Sequence, residues 1–140
     1  MNFIYISPQF PRTYWNFCDR LKRNGVNVLG IGDTPYEQLS SETRNALHEY
    51  YYVSDMENHD EMLRAVAFFT FKYGKIDWLE SNNEYWMNND ARLREEFHIT
   101  SGYMGDAARD IQHKSHMKAY YEKAGIAIAR WEIATTLEKA

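Results

Sequence analysis

Two short apolar runs, Phe3–Ser7 (FIYIS) and Val26–Ile31 (VNVLGI), decide the fold of this chain. Both are rich in β-branched or aromatic residues and are typical of buried strands. Between them, apolar residues recur at the i, i+3, i+4 and i+7 spacing of one helix face: Tyr14, Phe17, Cys18 and Leu21. Asn24-Gly25 marks the end of that helix. This strand, helix and strand order predicts a parallel pair with a right-handed crossover.

The same alternation continues along the chain. A short helix near Ser41–Leu47 precedes a third predicted strand at Glu49–Val53, and Ile76–Glu80 is predicted as the fourth strand. Phe97–Thr100 is a candidate fifth strand. Strands that alternate with helices predict an α/β fold, an open parallel sheet of four to five strands with helices on both faces.

Two further helices are predicted between these strands. Met62–Tyr73 repeats apolar residues at helical spacing, with Asn58 or Asp60 as the cap and Gly74 at the end. Asp90–Phe97 lies in the other helix. From Ile126 onward the pattern changes, and Arg130–Ala134 alternates polar and apolar residues as an edge strand does.

Composition excludes several classes of protein. The 140 residues carry a net charge of −4, and the basic residues are scattered among acids, so neither nucleic acid nor an anionic membrane is an expected partner. Cys18 is the single cysteine, which excludes an internal disulfide and fits a reducing compartment. The first residues lack a signal-peptide pattern and no apolar run is long enough to span a membrane, so we expect a cytoplasmic protein.

Two loops that follow predicted strands are candidates for a binding site. Ligands bind beyond the carboxyl ends of parallel strands, and Ser7–Pro11 and Glu80–Trp86 follow two such ends. Their carboxylate, amide and hydroxyl groups suit the amine or hydroxyl group of a small polar substrate. The predicted substrate-binding residues are Ser7, Gln9, Glu80, Asn83 and Glu84. Under the alternative interpretation, Asn82 or Asn83 caps the next helix and Glu84 and Trp86 form its first turn.

Common cofactor motifs are absent from the sequence. The loop after the first strand contains no glycine, so it cannot approach a pyrophosphate as a dinucleotide-binding loop does. Asp33 is therefore interpreted as a turn residue, and no Walker phosphate loop is present. His98, His113 and His116 lack a suitably spaced carboxylate, so no metal site is predicted. Cys18 is interpreted as a buried apolar side chain, and we predict no catalytic residue in this chain.

The segment from Lys114 to Gly125 has two interpretations. Lys114, Lys118 and Glu122 share one line of a helix, and the opposite line is predicted to be buried. Its members are Met117, Tyr120, Tyr121 and Ala124. In the simplest interpretation the lysines form a solvated face with a Lys118-Glu122 pair. In the other interpretation, Lys114 opens the helix as a ligand for phosphate.

The chain resembles the N-terminal, pre-ATP-grasp domain of ATP-grasp enzymes such as biotin carboxylase and carboxylate-amine ligases. The resemblance rests on Lys114, on Lys123–Ile126 (KAGI), and on the blocks Ile6–Pro11, Gly30–Asp33 and Glu80–Trp86. His113 stands where the family has aspartate, and Ala127 stands where it has proline.

The resemblance implies that Lys114 binds ATP phosphate in a longer parent protein, whose remaining ATP and Mg²⁺ ligands lie downstream. It implies a ligase that phosphorylates a carboxylate with ATP and transfers the acyl group to an amine or thiol. Residues 1–125 would be the pre-ATP-grasp domain and residues 126–140 the start of a truncated ATP-grasp domain, inactive by itself. The alternatives are a stand-alone, flavodoxin-like module that binds a small ligand and a dimerisation module, with a homodimer as its assembly.

Overall fold

The computed structural model describes residues 1–137 and contains a four-stranded, all-parallel sheet. The strands are β1 (Asn2–Ile6), β2 (Asn27–Gly32), β3 (Glu49–Tyr52) and β4 (Trp78–Glu80). Their order in the sheet is β3-β2-β1-β4. The predicted open α/β sheet is therefore confirmed. No helix in the described residues is long and apolar enough to cross a membrane.

Within residues 1–137, six α-helices and a 3-10 turn between β2 and α2 connect and follow the strands. The α-helices are α1 (Trp15–Arg23), α2 (Ser41–Ala46), α3 (His59–Tyr73), α4 (Met87–Glu96), α5 (Gly105–Gln112) and α6 (Lys114–Lys123), and the 3-10 turn is Tyr36–Gln38. Asn58 caps α3 as predicted, because its side chain accepts hydrogen bonds from the backbone N–H groups of Asp60 and Glu61. Gly74 closes the same helix with a φ of +82°, a conformation that favours glycine.

Each face of the sheet has its own apolar core, because successive side chains of a strand point to opposite faces. On one face, β1 contributes Phe3 and Tyr5, which pack with Cys18 of α1 and Ala46 of α2. On the other face, the core includes Ile4, Ile6, Leu29, Ile31, Val66, Phe69, Leu79 and Leu93. Of these residues, Val66 and Phe69 belong to α3 and Leu93 belongs to α4. The prediction of helices on both faces is confirmed.

The predicted fifth strand is wrong. Helix α4 continues to Glu96, and the chain then turns back under it: the N–H of Ile99 donates to the carbonyl of Arg94 at 2.8 Å. His98 takes a positive φ of +52° in this turn. Ile99 is 1% exposed and packs in the α3/α4 core. Its apolar character therefore reflects a buried helix end and not a strand.

The segment after α4 also differs from the prediction. Helix α5 was not predicted, and Arg130–Ala134 forms no strand. The predicted buried stripe of α6 is wrong, because Tyr120 and Tyr121 are 57% and 40% exposed. Met117 is half-buried and Ala124 is exposed. The aromatic spacing of this helix therefore does not mark a core-facing stripe within the described residues.

The polar line of α6 pairs in a different way from the predicted Lys118-Glu122 pair. The Lys118 ammonium lies 5.9 Å from the ring centre of Trp131, and the Trp131 indole N–H donates to Glu122 at 3.2 Å. Both side chains thus hold the segment that follows the helix.

Candidate functional site

The carboxyl ends of β1 and β4 form the candidate site. The two strands are parallel neighbours, and the chain order reverses between them, since β2 and β3 lie on the other side of β1. Such a reversal is where open α/β sheets bind ligands. The loops Ser7–Pro11 and Glu80–Trp86 therefore leave the same edge of the sheet. Each contains a non-glycine residue with a left-handed backbone, Ser7 at φ +57° and Asn82 at φ +53°, a conformation common at functional sites.

Two tyrosines contact the Glu80–Trp86 loop. The Tyr14 hydroxyl, at the start of α1, donates to the carbonyl of Asn82 at 2.6 Å. The Asn82 amide donates to the Tyr5 hydroxyl at 3.3 Å. Tyr5 is fully buried, and burial raises the pKa of its hydroxyl well above the ordinary range. The Tyr5 hydroxyl therefore stays neutral, and the two tyrosines tie the Glu80–Trp86 loop to β1 and to the start of α1.

Glu80 is held by the protein on both of its oxygens. Its Oε1 accepts hydrogen bonds from the backbone N–H groups of Ser81 at 3.2 Å and Asn82 at 3.3 Å. Its Oε2 lies 2.7 Å from Nη2 of Arg94, which is 3% exposed. A substrate that contacts Glu80 would share a carboxylate that already orders the loop.

Arg94 organises the base of the site from helix α4. Besides Glu80, its guanidinium donates to the carbonyls of Leu79 and Tyr103, each at 2.8 Å. A Cβ at Gly102 would lie 2.8 Å from Cζ of Arg94, so this position has no room for a side chain. Arg94 thus links β4, α4 and the loop before α5. Sequence analysis missed it because an arginine in a polar helix pattern is normally exposed.

Asp90 is the second residue that sequence analysis did not identify as part of the site. It is fully buried, and its Oδ2 accepts hydrogen bonds from Ser81 Oγ at 2.6 Å and Ser81 N–H at 3.1 Å. Its Oδ1 is buried without a partner among the described residues. Burial raises the pKa of Asp90 to about 7, with the Ser81 hydrogen bond opposing the rise. The unpartnered carboxylate oxygen and the raised pKa both show that the site favours the protonated form of Asp90 more than water does.

The end of the Glu80–Trp86 loop contacts the start of α6. Oε1 of Glu84 lies 3.9 Å from Nζ of Lys114, and both side chains are exposed. Gln112 donates to the Glu84 carbonyl at 3.0 Å. Asn83 does not cap α4; instead its side chain accepts from the N–H of Tyr85 at 3.0 Å within the loop. The structure therefore brings together Glu84 and Lys114, two residues predicted for different ligands.

The first loop faces the opposite direction, toward β2. The Ser7 hydroxyl is buried and donates to the carbonyl of Phe10 at 3.4 Å. The Gln9 side chain donates through Nε2 to Asp33 at 3.0 Å, in the loop after β2. Beside Gln9 lies an open cavity of about 750 Å³ between the ends of β1 and β2 and the start of α2. The roles predicted for Ser7, Gln9, Glu80, Asn83, Glu84 and Lys114 in ligand binding stay predictions.

Residues 1–137 contain no candidate metal site and no reactive thiol. No group of three or more histidine, cysteine or acidic side chains is arranged there to hold a metal ion. His116 instead lies 3.1 Å from Asp110. Cys18 is fully buried, and burial raises the pKa of its thiol to about 12, which keeps it protonated and unreactive.

Comparisons with known proteins give a match in fold but none in sequence family. No family model matches the chain, and no curated protein matches it. Among solved structures, the crystal structure of L-amino acid ligase from Bacillus licheniformis matches with a TM-score of 0.65. The match covers 90% of this chain at 13% identity, so it shows a shared fold. The chain spans less than a third of the length of that ligase, because the match covers 30% of it.

Proposed function

We propose that this chain is the N-terminal, substrate-side domain of an ATP-dependent carboxylate-amine or carboxylate-thiol ligase of the ATP-grasp type. The observation that carries the proposal is the fold match to part of a ligase, which covers 90% of this chain. The position of Lys114 as the first residue of α6 supports it further. Under this proposal residues 1–125 form the pre-ATP-grasp domain, and residues 126–140 lead into the ATP-grasp domain of the parent.

Lys114 is the residue with which this domain would contact ATP. It is the first residue of a ten-residue helix, and the helix has no acidic residue in its first turn. The ammonium and the free backbone N–H groups of a helix start together favour a phosphate. The side chain is 77% exposed, and its partner Glu84 is 60% exposed. Such exposed ion pairs are weak, so a phosphate can replace Glu84 at little cost.

The crevice between β1 and β4 would supply one wall of the substrate site. Asn83 and Glu84 end the loop that contacts Lys114, and Glu80 orders that loop through Arg94. ATP with Mg²⁺ would activate a substrate carboxylate by phosphorylating it. This chain's contribution would be to position the carboxylate and to balance phosphate charge, which are the main sources of catalysis in phosphoryl transfer.

The parent protein tests this proposal. Its reading frame should continue past residue 140 and encode further ATP and magnesium ligands, and the purified protein should release ADP only when a carboxylate and an amine or thiol are both present. A panel of amino acids, hydroxy acids and thiols in an ADP-release assay identifies the substrates. A natural stop near residue 140, or ATP hydrolysis that is independent of any carboxylate, would contradict the proposal and favour a stand-alone binding module.

A further inference from the structure

The cavity at the ends of β1 and β2 is separate from the crevice that the ligase proposal uses. Its volume is about 750 Å³, within the range of small-molecule sites. The first loop and α1 contribute Gln9, Phe10, Arg12 and Trp15, and the segment after β2 contributes Asp33, Thr34, Gln38, Leu39, Ser40, Glu42 and Thr43. The Glu80–Trp86 loop does not line it. The cavity combines aromatic walls with charged groups.

The charges of the lining favour a cationic ligand over an anion. Asp33 and Glu42 outnumber Arg12, which leaves one net negative charge around the cavity. Hydrogen bonds from its own backbone N–H and from Ser41 hold the pKa of Glu42 below its usual range, so this carboxylate is ionised. Among the described residues, Arg12 forms no ion pair with either acid. Its guanidinium is thus free to meet an acidic group of a ligand.

Asp33, an exposed residue of the cavity lining, is held by Gln9. Nε2 of Gln9 donates to Oδ1 of Asp33 at 3.0 Å, which leaves the other oxygen of Asp33 available. The opposite amide orientation is unfavourable because it would place two oxygens against each other. A Cβ at Gly32 would lie 2.6 Å from Gln9 Oε1 and 2.7 Å from the Tyr50 hydroxyl. The absence of a side chain at position 32 therefore makes room for the Gln9 amide that orients Asp33.

We propose that this cavity binds a small molecule that carries a primary ammonium group on an apolar body. Asp33 and Glu42 balance the ammonium charge, and Phe10 and Trp15 contact the apolar body. The same chemistry is found in a free amine and in an amino acid, and Arg12 distinguishes them because only the amino acid offers it a carboxylate. An amine is also a substrate class of the proposed ligase, but neither ATP nor Lys114 takes part in this binding, so its failure and the failure of the ligase proposal are distinguishable.

Nuclear magnetic resonance titration of the 140-residue chain tests the inference with three matched probes. The probes are 3-methylbutylamine, L-leucine and 4-methylpentanoate, which share a branched carbon body and differ in their charged groups. We expect the amine, L-leucine or both to shift the backbone amide signals of Gln9, Asp33 and Ser40, with a dissociation constant of about 1 mM. 4-Methylpentanoate should leave them unchanged.

Charge-matched variants locate the ammonium. Asp33→Asn keeps an acceptor for Gln9 but removes the charge, so it should weaken binding about three- to tenfold. Glu37→Gln makes the same charge change on an exposed residue outside the cavity lining and should have no effect. If Arg12→Gln weakens only L-leucine binding, the ligand is an amino acid; if Arg12→Gln has no effect on the bound probe, it is a free amine. The amide spectrum of each variant also reports whether it is folded.

Three results would overturn the inference: no shift at these amides with any probe up to about fifty times the expected constant, shifts as large with 4-methylpentanoate as with the amine, or equal binding by Asp33→Asn and Glu37→Gln.

Discussion

Replacing Asp90 with asparagine should remove a pH-dependent loss of stability. Burial raises the pKa of Asp90 from 3.8 to about 7. Because the folded state binds this proton more tightly than the unfolded state, stability is greatest below the unfolded pKa and falls as the pH rises toward 7. At about 1.36 kcal/mol per pH unit, the full loss is roughly 4 kcal/mol. About 2–3 kcal/mol of this stability loss occurs between pH 5 and pH 8.

The Asp90→Asn variant mimics the protonated acid. Its amide oxygen can accept the hydrogen bonds from Ser81 Oγ and N–H, and its amide nitrogen takes the place of the protonated oxygen. Urea unfolding from pH 5 to pH 8, followed by circular dichroism, gives the free energy of unfolding of both proteins. The stability of the wild type relative to the variant should fall by about 2–3 kcal/mol over this range.

Asp106→Asn provides the control, because its side chain is 89% exposed and it also loses one negative charge. This control should track the wild type across the whole range. If Asp90→Asn shows the same pH slope as the wild type, Asp90 is ionised in the folded protein and the reasoning about its unpartnered Oδ1 is refuted.

Further predictions concern the base of the site and the nucleotide. Arg94→Met should lower the free energy of unfolding, measured by urea titration, by about 3–5 kcal/mol, because it leaves Glu80 without its cationic partner. The control Arg92→Met removes an exposed ion pair and should lower it by under about 1 kcal/mol. Gly32→Ala should lower the free energy of unfolding by about 1–3 kcal/mol, because the new methyl group displaces the Gln9 amide. An unchanged urea midpoint would mean that the Ser7–Pro11 loop moves aside without a loss of stability. The isolated 140-residue chain should bind ATP no tighter than about 1 mM by calorimetry; micromolar binding would reveal a complete nucleotide site.

The parallel sheet could be predicted from the sequence, because buried parallel strands have a local signature. Phe3–Ser7 and Val26–Ile31 are apolar runs bounded by turn residues, and a helical pattern separates them. The end of α4 could not be predicted in this way. Ile99 looks like part of a strand in sequence, but the hydrogen bond to Arg94 and the left-handed turn at His98 place it under a helix.

The candidate site was only partly predictable for a similar reason. The edge of the sheet follows from strand order, so the positions of Ser7 and Glu80 could be predicted. The groups that hold Glu80 come from a helix whose sequence is mostly polar, and burial of Arg94 and Asp90 depends on the packing of three segments. No local spacing reports such a tertiary arrangement. The helical pattern of α6 likewise gave no sign that Tyr120 and Tyr121 are exposed in the described structure.

A comparison of two lysines one helical turn apart tests whether this domain contacts ATP through Lys114 in an ATP-grasp ligase, as proposed above. In the full-length parent, Lys114→Ala should weaken apparent ATP affinity about ten- to a hundredfold, as expected for a lost charged hydrogen bond of roughly 1.5–3 kcal/mol. Lys118→Ala should have a small effect, because Lys118 lies one turn after the helix start and its ammonium faces the ring of Trp131. Equal and small effects of both substitutions in a steady-state ATP titration would show that Lys114 is an ordinary solvated lysine and does not bind ATP.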